Sequence, residues 1–147
     1  MKVSQVMTPN VTIASPTQAI RDAARMMAEI DSGVLPVGDK DRLVGIVTDR
    51  DIAIRALGKG LKATAKVRDV MSGEVKYCFD DEDVEHVAHN MADIQVRRLP
   101  VVNREKQLVG IISLGDIAVA EGPDTAGPAI CGISEPESLH TPAQMAG

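Results

Sequence analysis

Thr48 and Asp51 are the residues of this chain best placed to do chemistry. They close an apolar run and open a polar one, three residues apart (Thr48-Asp49-Arg50-Asp51). At a strand-to-helix junction that spacing puts both side chains on one side of the backbone. A carboxylate there can accept hydrogen bonds from both hydroxyls of a ribose. A threonine hydroxyl and the free N–H groups of a helix start can donate to a phosphate. Arg50 adds a charge-assisted contact. The same pair also serves a purely structural role, Thr48 as N-cap and Asp51 as a first-turn acid. The pattern recurs as Ser113-Leu114-Gly115-Asp116, without the intervening cation. Thr48, Arg50 and Asp51 are therefore expected to form the stronger pocket, with Ser113 and Asp116 a weaker or different second one.

Other reactive groups are sparse. His86 and His89 stand three apart near an apolar stripe and read as exposed helix residues; His140 lies near the C-terminus. No nucleophile–base pair and no metal-ligand spacing appears, so no catalysis, metal or required cofactor is expected. Cys78 and Cys131 are outside any CxxC pair. They read as two reduced thiols, or alternatively as a Cys78–Cys131 bridge that would be redox-sensitive in the cytosol.

The elements that position these groups come in two copies. Val3-Ser4-Gln5-Val6-Met7-Thr8 recurs as Val67-Arg68-Asp69-Val70-Met71-Ser72, and Leu35-Pro36-Val37 as Leu99-Pro100-Val101, each 64 residues further on. Leu43-Val44-Gly45-Ile46 recurs as Leu108-Val109-Gly110-Ile111, and Asp51-Ile52-Ala53 as Asp116-Ile117-Ala118, each 65 further on. Such ordered matches mark an internal duplication. Each copy reads β-α-β-β-α. The first helix carries Ile20, Ala23, Ala24 and Met27, or Val84, Val87, Ala88 and Met91, at helical spacing. Ser15-Pro16-Thr17-Gln18 predicts the first helix start, and the acids Asp80 to Asp83 suit the other. Hairpins follow over 34–48 and 98–113, then helices over 49–57 and from Leu114 to about 120. The expected division is copy one over 1–60, copy two over 61–121, and a Gly- and Pro-rich, partly ordered tail over 122–147 with an anchor at Ala129-Ile130-Cys131.

Composition narrows the function. The net charge is −5, which argues against general nucleic-acid binding. No apolar run suits a membrane span, and the N-terminus has no signal-peptide core, so a cytoplasmic protein is expected. Tyr77 and Phe79 are the only aromatics, so a bound base would be flanked by aliphatic groups.

The two copies resemble a tandem pair of CBS domains, a Bateman module. The resemblance is carried by Val-Met-Thr/Ser, Leu-Pro-Val, Gly45 to Ile52 and Gly110 to Ile117, and covers residues 1 to about 121. It implies an α+β fold, with two βαββα repeats packed sheet to sheet about a pseudo-two-fold axis. It also implies a small stand-alone regulatory protein that binds AMP, ADP, ATP or S-adenosylmethionine and signals through ligand-dependent repeat or dimer geometry. Homodimerisation and an unidentified regulated protein are expected. Carried over by position, the ligand slot comprises Thr8, Val11, Thr12, Gly33, Val34 and Pro36 in copy one. In copy two it comprises Ser72, Val75, Lys76, Arg97, Arg98 and Pro100. The alternative is a ligand-free dimerisation or adaptor module tuned by Cys78 and Cys131.

Overall fold

A computed structural model describes residues 1–136. The fold is α+β, and its contacts divide into two compact units that do not coincide with the sequence copies. The first unit is Asn10–Tyr77 with Val102–Val109; the second is Met1–Pro9, Cys78–Val101 and the chain from Gly110.

In the first unit, α2 (Ile20–Ile30) packs on a hairpin of β2 (Val34–Asp39) and β3 (Arg42–Thr48). Val34 pairs with Thr48 and Val37 with Gly45; beyond Val37 the register shifts, ending with Asp39 opposite Arg42. Ala14 extends this sheet by a parallel bridge to Val37. The core is Ala14, Ile20, Ala23, Met27, Leu35, Val37, Val47, Ala56, Val67 and Val70. These aliphatics gain the usual ~25 cal/mol per Å² on leaving water.

Three details differ from the sequence reading. The Ser15–Gln18 cap closes a turn ahead of the helix: Ser15 N–H donates to Gln18 Oε1 at 3.1 Å, and α2 starts only at Ile20, with Ala19 as N-cap. Ala24 is exposed although it shares the helical spacing of the buried residues. The helix after β3 is not uniform: α3 (Asp49–Asp51) passes into π-helix over Ile52–Ala56 and a 3₁₀ turn over Leu57–Lys59. Gly60, at φ 76°, takes the left-handed conformation that ends it.

The second unit holds α1 (Val3–Val6), β1 (Thr8–Pro9), β4 (Cys78–Phe79), α4 (Val84–Ile94), most of β5 (Arg98–Val102) and β6 (Leu108–Ser113), and α5 (Leu114–Glu121). The strand order is β1-β6-β5-β4. All four expected apolar residues of α4 are buried: Val84, Val87, Ala88 and Met91. Asp83 supplies the N-cap, accepting from Glu85 N–H at 3.1 Å.

The tail expectation is corrected over Pro123–Ser134, which form a twelve-residue helix, α6. Pro123 starts it after Gly122, and it packs against α4 and α5, burying Ala126 and Ala129. Ala126, Ala129, Ile130 and Ile133 do carry helical spacing; the density of Gly and Pro obscured it. Gly132 seats the packing: a Cβ there would lie 2.9 Å from Ala92 Cβ. The Gln95 side-chain amide donates to the carbonyls of Gly132 (3.0 Å) and Glu135 (3.1 Å), satisfying groups at the helix end. Cys78 is buried and Cys131 exposed, and both are free thiols. This corrects the alternative of a bridge between them.

The opening segments are exchanged between copies. Val3 and Ser4 N–H donate to the carbonyls of Glu82 (3.0 Å) and Asp80 (2.9 Å), and Thr8 pairs with Ile111. Reciprocally, Val67 and Arg68 N–H donate to the carbonyls of Gln18 (2.8 Å) and Pro16 (3.0 Å), and Ser72 bridges Ile46. The recurring motifs interlock at this exchange. A Cβ on Gly110 would lie 2.6 Å from Met7 Sδ; one on Gly45 would lie 2.6 Å from Met71 Sδ. Each Val-Met-Thr/Ser thus covers the glycine of the other copy.

Candidate functional site

Both strand-to-helix junctions form the same closed box. Thr48 Oγ1 accepts from Asp51 N–H at 3.0 Å, and Asp51 Oδ2 accepts from Thr48 N–H at 2.9 Å. Ser113 and Asp116 repeat this at 3.0 and 2.9 Å. Each hydroxyl keeps its proton to donate, and each carboxylate keeps its second oxygen. At Asp51 that oxygen faces Arg55 Nε at 3.7 Å. The cation beside Asp51 is therefore Arg55, one helical turn on, which sequence reasoning missed in favour of Arg50. Arg50 is exposed, and among the described residues its backbone N–H alone engages the junction, donating to Asp49 Oδ1 at 2.8 Å. Ala120 stands one turn beyond Asp116, and Asp116 enters no ion pair among the described residues.

The surroundings then diverge. In the first unit, Asp49 N–H donates to the Gly33 carbonyl at 2.9 Å. The Asp49 carboxylate lies against Gly33, where a Cβ would come within 2.6 Å of Oδ2. A cleft of about 240 Å³ here is lined by Met27, Ala28, Asp31, Ser32, Gly33 and Asp49. Its two acids oppose an anion. In the second unit, the matching bond runs from Leu114 N–H to the Arg97 carbonyl, also at 2.9 Å. The cleft there holds about 460 Å³ and is lined by Arg97, Arg98, Ser113, Leu114, Gly115 and Ala118, with Ile130, Ile133 and Ser134 of α6. Arg97 and Arg98 are exposed, and neither enters an ion pair among the described residues.

The other expected slot residues distribute as the exchange dictates. Thr8, Arg97, Arg98, Pro100, Ser113 and Asp116 fall in the second unit; Val11, Thr12, Gly33, Val34, Pro36, Thr48, Arg50, Asp51, Ser72, Val75 and Lys76 fall in the first. Thr8 thus leaves its own copy and lies on the strand beside β6, which ends at Ser113. Ser72 likewise lies beside β3, which ends at Thr48. Pro36 and Pro100 are buried, whereas Val11, Thr12 and Val34 are half-buried. Val75 lines a separate hollow of about 200 Å³ with Leu43, Gly73 and Tyr77, and Lys76 is exposed.

The remaining reactive groups are explained locally. His86 and His89 are exposed; His86 lies 3.6 Å from Glu82, just ahead of α4, and His89 lies 3.4 Å from Asp93 on the same helix. No cluster of three metal-ligating side chains exists among the described residues. His140 lies outside them. Burial, helped by Glu82 and Asp80, pushes the Cys78 thiol up to about 12. No helix among the described residues is long and apolar enough to cross a membrane.

Known proteins bear on this arrangement at one point above all. The CBS domain family model matches residues 3–58 and again 67–121. The chain belongs to the CBS domain family. The CBS domain-containing protein YhcV of Bacillus subtilis is 38% identical over 139 residues, covering 94% of this chain and 98% of YhcV. Among solved structures, CBSX2 in complex with AMP superposes with a TM-score of 0.70 at 31% identity, covering 81% of this chain and 94% of that one. The CBS domain pair of MJ0100, in complex with 5-methylthioadenosine and S-adenosyl-L-methionine, gives 0.72 at 29% identity, covering 84% and 98%. α6 lies beyond both matched CBS segments.

Proposed function

We propose that this CBS pair is a regulatory module that binds an adenine compound (AMP, ADP, ATP or S-adenosylmethionine) and does not transform it. Binding biases the conformation that a partner protein reads, in the cytoplasm and with the chain acting as a homodimer. The observation that carries this reading is the second-unit junction. There Ser113, Arg97 and Arg98 line one cleft, where the hydroxyl can donate and the arginines offer charge to a phosphate, and Asp116, boxed to Ser113 at the cleft's edge, keeps one oxygen for a ribose hydroxyl. Relatives of this fold that hold AMP or S-adenosylmethionine support the choice of ligand class. Thr8 joins this site through β1, and Pro100 backs it from within β5.

This ranking reverses the one that Arg50 suggests. In the first unit, Thr48 and Asp51 have the same box, but Arg55 occupies the carboxylate and Asp49 and Asp31 face the neighbouring cleft. We assign Val11, Thr12, Gly33, Val34, Pro36 and Ser72 to a second, weaker site around it; Val75, which lines the separate hollow, and the exposed Lys76 are not assigned to it.

Isothermal titration with AMP, ATP and S-adenosylmethionine tests the reading. Asp116→Ala should weaken binding at least about tenfold, the scale of a charged hydrogen bond, and Asp51→Ala should cost less. Unchanged binding in the Asp51→Ala, Asp116→Ala double variant, or none by the wild type at millimolar ligand, would overturn it.

A further inference from the structure

The cleft beside Ser113 has a wall that does not come from the CBS repeat. Arg97, Arg98 and Ser113 line it together with Ile130, Ile133 and Ser134 of α6. α6 is not loosely apposed. Ala126 and Ala129 are buried, Gly132 fits against Ala92 where a Cβ would sit at 2.9 Å, and Gln95 holds the carbonyls at the helix end. These contacts fix which helical face is turned to the arginines. Ile130 remains half exposed (50%). The first unit's cleft has no counterpart, since α2, the Ser32-Gly33 turn and Asp49 line it.

We propose that α6 is a specificity-determining part of the second-unit ligand site, adding apolar side chains to the cleft that the Arg97–Arg98 pair lines. The inference rests on the nucleotide reading above and deepens it. An anionic ligand held by the arginines shares the cleft with Ile130. The isoleucines offer no hydrogen bond and no countercharge. Affinity there responds to the charge placed at position 130, although that residue is in neither CBS segment. Because Ile130 is half exposed and faces the cleft, it can be exchanged without opening the core.

The test is a charge swap read by titration with AMP and with ATP. Ile130→Glu should weaken both about fivefold or more, ATP the more strongly, and Ile130→Lys should tighten both by about the same factor, as expected of one added unit charge at a partly solvated site. Val119→Glu is the control: Val119 is 91% exposed on α5 and does not line the cleft, so its affinity should stay at the wild-type value. Opposite shifts for Glu and Lys at position 130, with none at 119, support the assignment. Equal affinities for Ile130→Glu, Ile130→Lys and wild type overturn it while leaving the nucleotide reading intact. If wild type binds neither AMP nor ATP, the nucleotide reading fails and this inference falls with it.

Discussion

Ala24 and Ala88 occupy the same place in their two copies, yet Ala24 is exposed and Ala88 is 2% exposed. The helices around them have equal length and matching apolar spacing. The difference comes from outside the repeat: α6 packs on α4, and no corresponding helix packs on α2 within the first unit. The clefts diverge in parallel. Gly33 and Asp49 in one become Arg97 and Leu114 in the other, while the Thr/Ser–Asp box between strand and helix is unchanged. Duplication has preserved the backbone chemistry of the junction and released the side chains around it. Shared architecture therefore says little about shared ligand affinity.

The comparison breaks most sharply at the two alanines. Ala88→Lys places an ammonium under α6 and should cost about 3 kcal/mol or more. Ala24→Lys should stay within about 0.5 kcal/mol. Urea unfolding of the two variants measures this, and equal losses would show that α6 does not cover α4 in solution.

The exchanged segments give the next largest effect. Gly110→Ala should destabilise by about 1–3 kcal/mol through overpacking against Met7 and the Thr8 carbonyl. Adding Met7→Ala should recover part of that loss, and adding Met71→Ala should not. The reverse pairing is expected for Gly45→Ala. A double-mutant cycle reads the coupling; coupling within a copy, Met7 with Gly45, would refute the exchange.

A pH effect confined to the second unit is smaller at the outset. The buried Cys78 thiol stays protonated up to about 12, whereas its ordinary value is 9.0. The sign follows: below pH 9 neither folded nor unfolded thiol ionises and stability is intact. Above it, only the unfolded chain releases the proton, so stability falls by roughly 1.4 kcal/mol per pH unit until the folded thiol titrates. Cys78→Ala should flatten this slope between pH 9 and 11, measured by urea midpoints. An unchanged slope would assign the alkaline loss to other groups.

Much of this was legible in the residues themselves. Both junction boxes, both hairpins and the α4 face follow from spacing alone, because strand alternation and helical periodicity act locally. The exchange was not legible, since Met7 and Met71 are chemically equivalent and either glycine would accept either one. α6 was hidden by Pro128 and three glycines within or beside it, which lower intrinsic helix propensity; its stability comes from packing on α4 and α5. Arg55 was missed because Arg50 is nearer in sequence, although only a residue one turn along reaches the Asp51 oxygen.

The interlocked methionines and glycines carry a consequence for how such a chain can be divided. Cleavage between Gly58 and Thr64 would leave two peptides, each holding the segment that completes the other's sheet. Such halves are suited to reassembly on mixing, as in fragment complementation. A single copy made alone could satisfy its glycine and its methionine with a second molecule of itself, as a strand-swapped homodimer. The covalent duplication can thus be read as a tethered version of that pairing. Tethering lets the two partners differ, and one of them carries two arginines and a covering helix.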